Sequence, residues 1–197
     1  MKNINSICRL LNTINASSDD LSLTKNYERI GDLCVNVERY DTANYYYEKA
    51  AEKANVDDSK LLSALYFSIA ENCMDLENFE KAYTFYTKKL ALCRLDAKES
   101  CQTLLRLAKC AQLNGKSLDD VLALCKEARK LAVRSGRIAL EARVLQVTHS
   151  YQHKHGSSSG DGTKQELERL CYYKMPDSNS CHAIPLIQSC GYTLSKS

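Results

Sequence analysis

Tyr27–Ala54 reads YERIGDLCVNVERYDTANYYYEKAAEKA, and Tyr66–Cys93 reads YFSIAENCMDLENFEKAYTFYTKKLALC. The second is the first displaced by 39 residues: Tyr27 falls on Tyr66, Ile30 on Ile69, Gly31 on Ala70, Cys34 on Cys73, Tyr40 on Phe79, Ala43 on Ala82 and Tyr47 on Tyr86. A third copy, Leu104–Ala132 (LLRLAKCAQLNGKSLDDVLALCKEARKLA), repeats Leu107-Ala108 and later Ala128 after a one-residue slip near Lys116–Asp120. Self-similarity at a fixed period is the mark of a repeat architecture, in which each unit buries its apolar stripe only by stacking on its neighbours.

The matched residue types carry a physical meaning. Gly31, Ala70 and Ala108 are small where two antiparallel helices must approach closely, and Ala43 and Ala82 are small on the second helix for the same reason. Tyr47 and Tyr86 fill the space between successive hairpins. An aromatic, then an apolar-small pair three residues on, then alanine, aromatic and alanine at fixed offsets resembles the tetratricopeptide repeat. The expected fold is therefore all-α, a right-handed tetratricopeptide superhelix of antiparallel helix pairs. The period is longer than the usual ~34. The surplus lies in NVDDSKLLSA and RLDAKESCQT, which read as longer helices with Asp57, Asp58 and Asp96 as caps at the joins. Ser135–Lys154 reads as the first helix of a fourth unit, with Val144, Val147 and Thr148 in the repeat places. Asn5–Ala16, with Ile7, Leu10, Leu11 and Ile14 at helical spacing, reads as the last helix of an earlier repeat, so the chain is expected to be a fragment of a longer array.

The rest of the chain differs. Gly156–Gly162 (GSSSGDG) has linker composition, and both prolines, Pro176 and Pro185, come after it. Seven such residues span about 23–25 Å fully extended and about 13–16 Å as a flexible coil. The expected organisation is a repeat domain over 1–155, a linker over 156–162 and a partner-like segment over 163–197. In that segment Thr163 would cap a short helix, Glu166 would complete a capping box, and Pro176 would end it before an extended stretch. The density of Leu167, Leu170, Ile184, Leu186, Ile187 and Tyr192 points to a tethered ligand, as in a fusion of a partner's motif to its receptor. The competing reading is an ordinary disordered C-terminus.

Composition removes several function classes. The chain has 197 residues with 27 basic and 24 acidic side chains, a net charge of +3, without the basic stripe of a nucleic-acid binder. The tyrosine run Tyr45-Tyr46-Tyr47 sits among Glu38, Asp41 and Glu48, a poor setting for stacking bases. No run approaches ~20 apolar residues, and the N-terminus has no long apolar stretch of a signal peptide. The ten cysteines include no CxxC pair, so they read as small buried hydrophobes of a reducing compartment. Cys181 and His182 with His153 and His155 lack regular ligand spacing, so no metal or other cofactor is expected. Phosphate-loop and nucleophile motifs are missing too, and the chain is not expected to be an enzyme.

Tetratricopeptide arrays present the first helix of each hairpin on a concave surface. Counted from the aromatic position, the groove should be lined by Lys25, Glu28, Asp32 and Val35; by Phe67, Glu71 and Met74; by Gln102, Leu105, Lys109 and Gln112; and by Leu145, His149 and Gln152. The Lys/Asn clamp by which chaperone-binding repeats hold a peptide carboxylate is replaced here by Glu28, Asp32, Phe67 and Glu71. These acids are either solvated helix faces or the floor for an extended peptide with a basic residue and apolar anchors.

The long period, the Tyr27–Ala54 stretch, the shifted LDDVLALCKEARKLA and the closing LEARVLQVTHSYQ together resemble the last tetratricopeptide repeats of the Tonsoku-like family, over Ser6–Gln152. The resemblance implies a nuclear scaffold of replication-coupled DNA repair by homologous recombination and of histone handling. Its partner would be a replication, repair or chromatin factor, a histone tail among them, met through a linear peptide and not through direct contact with nucleic acid or membrane. The family's ankyrin and leucine-rich repeats are not in this sequence. The alternative resemblance is to the Pins-like adaptors of spindle orientation, whose repeats keep more glycine at the helix crossing than Ala70 and Ala108 allow.

Overall fold

In the computed structural model, residues 2–16, 19–93, 95–156 and 160–174 are described. Among them there are nine α-helices and no strand: α1 (Lys2–Ala16), α2 (Asp20–Val35), α3 (Tyr40–Lys53), α4 (Ser59–Asp75), α5 (Phe79–Leu92), α6 (Ala97–Leu113), α7 (Leu118–Arg134), α8 (Ile138–Lys154) and α9 (Gly160–Lys174). Helices α1–α5 belong to one compact unit and α6–α9 to a second, where a single repeat domain over 1–155 was expected.

Short polar side chains start the helices. Asp19 accepts from the Ser22 amide, Asp58 from Leu61, Asn78 from Lys81, Asp96 from both Lys98 and Glu99, and Ser117 from Asp120. Each satisfies amides that the first helical turn leaves without intrahelical partners. Asp58 and Asp96 are caps as the sequence indicates. Asp57 is not: it lies in the turn before α4, its amide donating to Asn55 Oδ1.

In the first unit α2 pairs with α3 and α4 with α5, the two hairpins meeting along α3 and α4, while α1 packs on α2. Ile30, Ala43, Ile69, Ala70 and Ala82 are wholly buried, as the repeat register requires. Gly31 meets a strict condition, because a Cβ there would stand 2.5 Å from Tyr47 Cε1. Between the hairpins lies a small buried polar network: Asn72 Nδ2 donates to Asn44 Oδ1 at 2.9 Å, and Asn44 Nδ2 to Cys73 Sγ at 3.5 Å. Lys81 on α5 pairs with Glu48 on α3 at 2.8 Å, and Lys53 on α3 with Asp20 on α2 at 3.1 Å.

In the second unit α6 pairs with α7 and α8 with α9, and α7 packs on α8. Leu104, Leu107 and Ala108 are buried in the register expected from the slipped alignment. Cys125 occupies the place of Tyr47 and Tyr86. Here the sequence expectation is corrected. Helix α9 starts at Gly160, inside the presumed linker, and Thr163 lies within it and not at its cap. Leu167 and Leu170 pack with Ala142 and Leu145, with Ile138 alongside, and Glu166 bonds Arg129 of α7. Residues 160–174 are thus the second helix of a fourth hairpin and not a ligand laid in a groove. Burial of two leucines against α8 outweighs the helix-breaking tendency of Gly160 and Gly162, which is about 1 kcal/mol each. Ile184, Leu186, Ile187 and Tyr192 lie outside the described residues.

Candidate peptide-binding face

Within the first unit, the first helices α2 and α4 are drawn together around one side chain. Tyr47 rises from α3, and its hydroxyl donates to Asp32 Oδ1 at 2.7 Å. It also lies within range of Glu28 on α2 and Ser68 on α4. Burial and these carboxylates hold the Tyr47 phenol far above its ordinary range, so it is a permanent donor. Glu28 is pushed up by burial first and by Asp32 second. A half-buried carboxylate thus has a second, exposed one beside it, which favours a cation there. The second hairpin repeats the device: the Tyr86 hydroxyl bonds Glu71. Both pairs are 15 residues apart, Asp32 to Tyr47 and Glu71 to Tyr86, and both acids immediately follow the small crossing residue, Gly31 and Ala70. That spacing is written in the sequence, and packing adds to it the reach of each tyrosine hydroxyl to the acid.

The remaining α2 and α4 positions fall as follows. Lys25 and Asp32 are exposed, whereas Glu28, Val35, Phe67, Glu71 and Met74 are half-buried. The Phe67 ring lies 6.4 Å from that of Tyr86, and Lys89 Nζ stands 5.5 Å from its centre while bonding Ser63 Oγ at 3.1 Å. An aromatic ring beside carboxylates, with a thioether further along α4, is a surface that takes both an apolar side chain and a cation.

The second unit has other chemistry. Gln102 and Lys109 are exposed and Gln112 is half-buried on α6. Leu105 and Leu145, expected in the groove, are buried at 9% and 1% exposure, and Gln152 is buried as well. Leu145 is covered by Leu167 and Leu170 of α9. His149 is half-buried, its ring 6.1 Å from that of His153. Lys109 and His149 fall at the position that Asp32 and Glu71 hold in the first unit, so the acids do not continue.

Six cysteines, Cys34, Cys73, Cys93, Cys101, Cys110 and Cys125, are buried free thiols. Burial pushes the Cys34, Cys73 and Cys125 thiols up and carries Cys101 to about 11, far from the thiolate that nucleophilic or metal chemistry needs. No group of metal-binding residues is found among the described residues, and no helix there is long and apolar enough to cross a membrane.

Solved structures share this arrangement of helices. Tetratricopeptide-like repeats of a putative kinesin light chain from Podosopora anserina align with a TM-score of 0.69 over 89% of each chain at 10% identity. MamA aligns at 0.63 over 88% of this chain and 89% of its own, at 12% identity. The chain has the tetratricopeptide-repeat fold. No family model matches the sequence. By sequence this repeat chain is similar to a Tonsoku-like protein of Danio rerio, 31% identical over 146 residues. That match takes in 73% of this chain and 10% of the relative, so the chain spans about a tenth of that protein. The similarity agrees with the resemblance carried by the repeat sequences, while nothing in it points to a fused peptide. Fold and similarity together support a role in protein–protein interaction.

Proposed function

We propose that the chain is a non-catalytic scaffold whose α2–α4 face binds an extended peptide carrying a basic residue and apolar anchors. The observation that carries this reading is the Tyr47 hydroxyl, which holds Asp32 and lies near Glu28 of the same helix and Ser68 of the neighbouring first helix α4. A lysine or arginine set against Glu28 and Asp32 relieves the repulsion between two carboxylates, and Phe67 and Met74 offer apolar seats further along α4. In keeping with the Tonsoku-like resemblance, the proposed partner is a replication, repair or chromatin protein, histone tails included, and the proposed compartment is the nucleus. Because the similarity covers a tenth of that relative, its whole-protein activity is proposed here and not carried over.

The test uses the full chain and two fluorescent extended peptides of equal apolar content, one with a central lysine and one with glutamate there. The lysine peptide should bind more tightly by at least about tenfold, with affinity falling as salt rises. Glu28→Lys combined with Glu71→Lys should abolish that preference. Equal binding of both peptides, or none of either, would overturn the reading. Co-purification from nuclear extract should recover replication and histone proteins; recovery of cortical polarity proteins instead would favour a spindle adaptor.

A further inference from the structure

Hairpins built on one repeat also share their stacking surfaces, so apolar burial alone does not decide which hairpin lies on which. The α3–α4 contact carries a polar mark that the repeat does not explain. Asn44 and Asn72 are each 4% exposed. They join α3 to α4 through the 2.9 Å bond between their amides, and the Asn44 amide donates onward to Cys73 Sγ at 3.5 Å. The register shows how particular this pair is. The residues in the place of Asn72 are Leu33 on α2 and Cys110 on α6, and those in the place of Asn44 are Tyr83 on α5 and Leu122 on α7. None of the four offers an amide. The neighbouring contact between second helices is equally particular. Glu48 on α3 meets Lys81 on α5, where the register elsewhere puts Thr87 for Glu48 and Thr42 for Lys81.

We propose that Asn44 and Asn72 are a matching pair that selects α4 as the stacking neighbour of α3, at some cost in stability. Correctly stacked, each buried amide finds the other. With α2 or α6 of this chain or of a second copy in α4's place, Asn44 would meet Leu33 or Cys110. With α5 or α7 in α3's place, Asn72 would meet Tyr83 or Leu122. A buried amide left without its partner forfeits its hydration, which disfavours the wrong stack by roughly tenfold or more. Two leucines at these positions would stack at least as firmly and discriminate less. A single buried Asn fixes the register of coiled coils in the same way. The pair also sits at the level of the candidate face, since Asn72 follows Glu71 and Asn44 stands one turn before Tyr47.

The experiment compares the full chain with Asn44→Leu and Asn72→Leu, singly and together. Each single change leaves one amide without its partner and should lower the urea midpoint. The double change removes both amides and should return the midpoint to that of the unaltered chain or above it. Tagged and untagged copies of the double variant, unfolded and refolded together, should nevertheless give at least about ten times more mixed dimer than the unaltered chain, counted by native mass spectrometry. Asn44→Ala with Asn72→Ala, which cannot overpack the contact, should exchange in the same way and serves if the leucine pair does not fold. A double variant that refolds to monomer as fully as the unaltered chain overturns the proposal. So does a leucine double variant that loses as much stability as the two single changes summed, which would make the pair a simple stabiliser.

Discussion

The first two hairpins and the third solve one packing problem with different chemistry. In α2–α3 and α4–α5 a tyrosine fills the crossing and its hydroxyl captures an acid on the partner helix. In α6–α7 a thiol, Cys125, fills the same register, Lys109 stands at the acid's position, and the Cys125 side chain bonds Thr148 of α8. The turns diverge in parallel. Glu38 and Glu77 adopt positive φ, 58° and 56°, where the third hairpin has Gly115 at 72°. The backbone repeat tolerates either solution because it constrains size at the crossing and not polarity. Polar partners on the first-helix side are therefore free to vary, and it is there that the first unit differs from the second.

The largest effect expected from breaking this contrast is at the tyrosines. Tyr47→Ala or Tyr86→Ala should destabilise by about 3–5 kcal/mol in urea unfolding, the range for removing a buried aromatic side chain. The phenylalanine variants should lose only about 1 kcal/mol, the worth of one hydrogen bond. Equal losses for the two substitutions would mean that the hydroxyl–acid bond dominates the ring. Gly31→Ala comes next, since its Cβ would press the Tyr47 ring, and about 1–3 kcal/mol should be lost. Combined with Tyr47→Phe the loss should persist, because the clash is with the ring carbons and not the hydroxyl.

The turns give smaller effects of opposite sign. Glu38→Gly or Glu77→Gly should raise stability by about 0.5–1 kcal/mol by relieving a left-handed backbone, whereas Gly115→Ala should lower it by about 1 kcal/mol. A loss on Glu77→Gly would show that its side chain contributes more than its backbone costs. The smallest contrast is in pH response. The cap carboxyls Asp19 and Asp96 are held below the usual range, Asp19 chiefly by the Ser22 hydroxyl and Asp96 by the Glu99 amide. They stabilise above the unfolded carboxylate range, and that contribution is lost as pH falls through their folded values. Glu28 is raised by burial, so its contribution is present below the unfolded value and lost as pH rises through the folded one. Glu28→Gln should therefore remove a destabilising term at neutral pH and steepen the loss of stability on acidification, which chemical denaturation from pH 7 to pH 3 would detect.

The sequence by itself determined the hairpins. The 39-residue offset, the small residues at 31, 70 and 108 and the caps at Asp58 and Asp96 are local demands of helix crossing and helix starting, and each is written in a residue type. Half of the candidate face was equally legible, because Glu28, Asp32, Phe67, Glu71 and Met74 follow from helical periodicity once the register is known. Only tertiary structure decided the rest. A stretch with the composition GSSSGDGT reads as linker by local propensity, yet α9 starts within it because Leu167 and Leu170 find Ala142 and Leu145. Those neighbours in turn remove Leu145 from the surface where periodicity had put it. The Tyr47–Asp32 bond likewise depends on where a ring ends after it has crossed between helices, a matter of packing distance that residue spacing does not encode.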